Sequence, residues 1–180
     1  MDRAIWINPD PSYLEERQRL GLDKKDELWD GVLHMVPPPS GPHETMTYEL
    51  LFALKAAVDR AGLVIRGGTT GVFGSDKNYR VPDISVARPD QISNRGFEGA
   101  EVVVEVLSKN DESRDKFPFY AKYNVREVWL VEPKTRAVEM YTLVEGAYVA
   151  IPSLRSGVLG VELQPGEKLR VIDGERVVEI

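Results

Sequence analysis

The chain has 180 residues, 42% hydrophobic and 29% charged, with no cysteine, and suits one domain over residues 1–180 with a core that needs no disulfide or thiolate-metal staple. Its 29 acids against 23 bases give a net charge of −6, which argues against a general nucleic-acid coat because phosphate binding needs clustered Lys and Arg, although a local basic rim can outvote the global sum. No run approaches the ~18 apolar residues that span a bilayer, the start Met1–Trp6 has no apolar signal region, the missing cysteines fit a reducing cytoplasm, and two histidines, His34 and His43, are too few for an imidazole-rich zinc centre.

Ser12-Tyr13-Leu14-Glu15 has the reciprocal capping spacing, and the pattern through Leu20 before Gly21 predicts a short helix. Residues 27–36 alternate around Asp30-Gly31, a two-residue hairpin signal. The prolines Pro37, Pro38 and Pro39 then force an extended connector. From Pro42 to Ala61 the chain reads as the main helix, with Met46, Leu50, Leu54, Ala57, Val58 and Ala61 as its apolar stripe. Strand-like runs follow at 63–66, 70–73, 80–87 and 100–107, with a bend or bulge expected around Gly67-Gly68 and Gly71. A helix around 114–124 and a strand at 127–132 complete a strand–helix–strand crossover, which implies parallel neighbours. Glu145-Gly146 and Asp173-Gly174 mark two hairpins in the tail.

Two of these strands each carry a carboxylate where a core strand ordinarily has none: Asp83 after Pro82, and Glu105 between apolar neighbours. Burying an unpaired carboxylate is costly. If the strands pair, Asp83 and Glu105 share one end of the sheet and can hold a cation, since two hard oxygen ligands plus waters is the usual way of binding Mg²⁺. The plainer reading is that both acids end strands and sit in water. His43 shares the inward face of the main helix at its first turn; it reads either as a satisfied core histidine or as a side chain near a phosphate or a metal's waters. Glu49 flanks the same stripe, as an accessory ligand or as part of a solvated face.

Pro82-Asp83, Glu105-Val106-Leu107-Ser108, Lys116, Tyr120 and the run Arg126-Glu127-Val128-Trp129-Leu130-Val131-Glu132-Pro133, in that order, together resemble the Uma-two family of restriction endonucleases. That family lies within the PD-(D/E)xK nuclease superfamily. Upstream the likeness takes in Glu27-Leu28-Trp29-Asp30-Gly31, the proline run and His43, so it spans roughly residues 27 to 133. The resemblance implies an α/β, restriction-endonuclease-like fold: a mixed central sheet flanked by helices, with additional antiparallel hairpins. It implies a Mg²⁺- or Mn²⁺-dependent endonuclease acting on DNA, with Asp83, Glu105 and the backbone carbonyl of Val106 as metal ligands. A homodimer is expected, because cutting both strands usually needs two sites.

The superfamily's usual lysine, two residues after the Glu, is replaced here by Leu107. Leu107 shares the face of Glu105 and contributes no charge. The resemblance implies that the lysine has moved to Lys116. Lys116, Tyr120 and Tyr123 fall at i, i+4 and i+7 on one helix face, whereas Lys122 points about 240° away. Lys109 lies in the exit loop, and Pro118 suits a first turn. Ser108 either orients the site or caps that loop, and Tyr120 and Trp129 read as core aromatics. The alternative function, favoured by the acidic balance and by Leu107, is a catalytically silent nucleic-acid-binding or assembly module.

Overall fold

The computed structural model describes residues 4–7, 9–36, 38–109 and 112–180. Residues 1–3 and Pro37, on which the readings of the N-terminus and of the proline run partly rest, lie outside them.

Local chemistry sets most of the element boundaries. Helix α1 (Pro11–Arg19) is capped not by Ser12 but by Asp10, whose carboxylate accepts from the Ser12 backbone N–H at 2.8 Å. Pro11 at N1 makes Asp10 the capping residue, since a fixed φ suits the first helical position. The hairpin between β2 (Glu27–Trp29) and β3 (Val32–Met35) turns at Asp30 and Gly31, both at positive φ, as a tight two-residue turn requires. Helix α2 runs Gly41–Arg60, close to the predicted bounds. Gly68, at φ +82°, makes the bend after β4 (Val64–Gly67). The bulge itself lies further on, between Phe73 and Ser75 of β5 (Gly71–Ser75), where it pairs with β6 (Asn78–Arg80).

The run 80–87, expected as one strand, is two. β6 ends at Arg80 and β7 (Ile84–Ala87) begins four residues later. Pro82 cannot donate to a ladder, and the chain uses that gap to pass from one sheet to another. Short β8 (Gly96–Phe97) precedes β9 (Val102–Val106). The expected helix 114–124 is a 3₁₀ turn, Ser113–Lys116, that feeds α3 (Phe117–Lys122), with Pro118 in its first turn. The remaining strands are β10 (Glu127–Val131), β11 (Val138–Val144), β12 (Ala147–Ala150), β13 (Glu162–Gln164), β14 (Arg170–Asp173) and β15 (Arg176–Glu179).

The fold is the expected mixed α/β class, with its strands spread over more than one sheet. With β1 (Ala4–Ile7), one six-stranded sheet runs β1-β3-β2-β6-β5-β8; a second runs β12-β11-β10-β9-β7-β4; and β13-β14-β15 make a third. The crossover strands β9 and β10 are parallel, as predicted, and their neighbours β7 and β11 are antiparallel to them. The hairpins β11–β12 and β14–β15 are those signalled in the tail.

The second sheet is covered on both faces. Ile84, Val86, Val102, Val104, Val106, Trp129 and Val131 join the α2 stripe from Met46 to Val58 and the third sheet in one core, whereas Ala61, expected on that stripe, is the exposed C-cap of α2. Val103, Val128 and Leu130 pack with Phe119, Tyr120 and Val125 in the other. Strand alternation therefore turns Glu105, between Val104 and Val106, toward the α3 side.

Candidate active site

Strand pairing brings the two acids together. Ile84 pairs with Val104 in the β7–β9 ladder, so Asp83 and Glu105, one step beyond, face each other across it. The backbone N–H of Val106 donates to Asp83 Oδ2 at 2.9 Å, which locks the carboxylate against the end of β9. Both acids are buried rather than solvated at strand ends. They line a cleft of about 930 Å³ with Lys25, His43, Val106, Ser108, Lys109 and Lys116.

His43 belongs to this cleft and not to a closed core. Its Nε2 lies 3.1 Å from Asp83 Oδ2. Burial pulls the imidazole down, but the Asp83 carboxylate outweighs it and leaves the ring above its ordinary value. Burial likewise raises Asp83, and His43 and Lys25 more than reverse that, so Asp83 stays below the usual carboxylate range. Lys25 Nζ stands 3.4 Å from Asp83 Oδ1. Glu49, half-buried on α2, is not among the residues that line the cleft.

Lys116 is 3% exposed and points inward, toward the acids of the site and not toward solvent. Its Nζ lies 3.1 and 3.2 Å from the two oxygens of Glu105 and 2.8 Å from Glu27 Oε1. Tyr120, one turn on, donates to Glu105 Oε1 at 2.6 Å; it is a core aromatic that also touches the site. Burial disfavours the ammonium, but the charges of Glu105 and Glu27 hold it above the ordinary lysine value. Lys122 is exposed, and Trp129 is buried in the core with its Nε1 donating to Glu127.

Glu105 carries the opposite strain. Burial raises it most, Lys116 pulls it back, and Asp83 and Glu27 push it up again, to about 7. Of the three buried carboxylates, Asp83 and Glu27 are held below the usual carboxylate range and Glu105 alone is left above it, which is the condition a cation beside Glu105 would relieve. The donors fit a hard divalent ion: two carboxylates on one sheet face and a backbone carbonyl at the strand end, with cleft volume for waters. Among the described residues no three His, Asp or Glu side chains form a ready-made metal cage.

Glu27 and Lys25 escaped the sequence reading. Glu27 opens β2 directly after the charged run Asp23-Lys24-Lys25-Asp26, so its surroundings in sequence give it none of the apolar flanking that marked Glu105. Lys25 lies in a turn, where the sequence offers no periodicity.

The family model described as "Uma2: Putative restriction endonuclease" matches residues 12–173. A crystal structure from Anabaena variabilis, titled as "a putative nuclease belonging to DUF820", superposes with a TM-score of 0.58 at 18% identity. The match covers 74% of this chain and 80% of that one, and it shows the shared fold. No curated protein matches.

Proposed function

The chain belongs to the Uma2 family, and from that premise we propose that it is a divalent-metal-dependent endonuclease that hydrolyses phosphodiester bonds of DNA. The observation that carries the reading is the convergence of Asp83, Glu105 and Lys116 at one end of the β7–β9 ladder, buried in a cleft. Asp83, Glu105 and the carbonyl of Val106 would hold Mg²⁺ or Mn²⁺. When bound, that ion supplies Lewis-acid polarisation of the phosphate and an acidified water.

The chain's own residues do the rest. The Val106 N–H holds Asp83 in place, and Tyr120 fixes Glu105. With an ion on Glu105, Lys116 would keep its charge on Glu27, and its ammonium would stabilise negative charge developing on a phosphate in the cleft. Lys25, Lys109, Arg114 and Lys134 reach the same cleft, interspersed with Glu112 and Glu132, and bring positive charge to it on an acidic protein. We take residues 1–180 as one domain, working in the cytoplasm. Among the described residues no helix is long and apolar enough to cross a membrane.

Mn²⁺ should convert supercoiled plasmid to linear DNA, and EDTA should stop it. We propose that the active species is a homodimer: β1 is an edge strand with Ile5 and Ile7 more than half exposed, and β12 leaves a second edge uncovered. Sedimentation should therefore give a dimer. A clean monomer would contradict it and leave nicking as the expected product. The silent-module reading is favoured by the acid excess, and it wins if no DNA is cut with Mn²⁺ present.

Metal binding should depend on pH through Glu105. Its folded value, about 7, lies above its ordinary 4.5. Its contribution to stability is therefore complete below 4.5 and lost as pH rises through about 7. An ion that needs the ionised form must displace that proton. Mn²⁺ affinity should rise by up to about tenfold per pH unit below this value and level off above it. Calorimetry at about pH 6 and about pH 8, in buffers of different ionisation enthalpy, should show roughly one proton released per ion only at the lower pH. Equal proton release at both would contradict the assignment of Glu105.

A further inference from the structure

We infer, on the reading of Lys116 as the catalytic lysine, that Glu27 is its positioning residue. Lys116 sits at the end of a four-residue 3₁₀ turn. Local backbone bonds there do not fix a long side chain, so its direction must be set by what meets the ammonium. Two carboxylates meet it, and they are not equivalent. Glu105 is a proposed metal ligand, and an ion competes for it. Glu27 is anchored by groups besides the lysine: Oε1 accepts from Lys116 Nζ at 2.8 Å and from the Val81 backbone N–H at 2.9 Å, and Oε2 accepts from Trp29 Nε1 at 2.7 Å.

The support for Glu27 is itself rigid. Its backbone is paired in β2 opposite His34. Trp29 stacks on the His34 ring at a centroid distance of 4.1 Å and an interplanar angle of 12°, and the Arg80 guanidinium lies 4.2 Å from the Trp29 ring. Arg80 is pinned in turn by the carbonyls of Leu28 and Tyr79. Glu27 thus belongs to the first sheet and holds a lysine from the α3 layer over a site in the second. With an ion on Glu105, Glu27 would be the contact that remains, and it would keep the ammonium directed at the cleft.

A double-mutant cycle of Glu27→Gln and Lys116→Met tests this, read by melting temperature without metal and by steady-state cleavage with Mn²⁺. Removing one partner of a buried pair leaves an uncompensated charge. Lys116→Met alone should lower Tm on the order of 10 °C. Adding Glu27→Gln should then raise Tm again by several degrees, although the same substitution lowers it in the wild type. In cleavage, Glu27→Gln should cut kcat by roughly tenfold with KM unchanged, and should cost nothing further beside Lys116→Met.

Equal Tm losses from Glu27→Gln in both backgrounds would overturn the inference whatever the activity, since they would mark a structural carboxylate indifferent to Lys116. Losses in kcat that multiply would overturn it too. A coupled melting cycle in a wild type that cuts no DNA would instead sink the nuclease reading and leave Glu27 as the residue that holds Lys116.

Discussion

Lys116→Met is expected to lower turnover on DNA by roughly 10²-fold or more, the usual cost of losing one preorganised electrostatic donor, while Lys122→Met stays near wild type. The two lysines are six residues apart and differ entirely in surroundings. Lys116 is buried between Glu105 and Glu27. Lys122 is exposed at the end of α3, with its ammonium 5.6 Å from the Tyr123 ring centroid. Methionine keeps most of the apolar stem and removes only the charge. Mn²⁺ affinity should rise in Lys116→Met, because Lys116 Nζ competes with an ion for both oxygens of Glu105. Leu107→Lys in that background should recover part of the turnover, since Leu107 follows β9 on the face of Glu105 and packs at the rim of the α3-side core. Equal losses at Lys116 and Lys122, or none at Lys116, would show that the charge acts elsewhere.

Much of the fold was legible because its signals are local. The hairpins at Asp30-Gly31 and Glu145-Gly146 need positive φ, which the glycine of each tolerates. The α2 stripe repeats at helical spacing from Met46 to Val58, about three turns, long enough to dominate. The division of strands among sheets was not legible. A lone Pro82 reads as a strand start, and only the tertiary pairing shows the chain leaving one sheet for another there. The cap of α1 was misplaced for a related reason: Asp10 and Ser12 both suit an N-cap, and the choice rests on Pro11 between them.

The candidate site divided along the same line. Asp83 and Glu105 stood out as acids in apolar runs, and family likeness marked Lys116. Their convergence depends on the register of β7 against β9, which residue spacing does not encode. The place of His43 turned on the same packing: periodicity put it on the inward face of α2, and only the fold shows that this face ends at Asp83. Glu27 needed a third element, since its partner Lys116 lies 89 residues away in sequence.

Asp83→Asn and Glu105→Gln should each weaken Mn²⁺ binding, and together should abolish it without unfolding the protein. Their effects on the metal-free protein should differ in sign. Asp83 is held low, so its charge stabilises the fold above its unfolded value, and Asn forfeits that at neutral pH. Glu105 is held high, so its charge is costly above about 7. Gln removes the cost and should raise Tm by several degrees at about pH 8. Single and double variants that melt cooperatively thus separate loss of a ligand from loss of the fold. The most direct measurement is a calorimetric Mn²⁺ titration at about pH 8 of wild type and the double variant, side by side. Saturable binding to wild type, with none detectable in a folded double variant, is the predicted result. The same affinity in both, or no binding to wild type, would contradict a metal site built on Asp83 and Glu105.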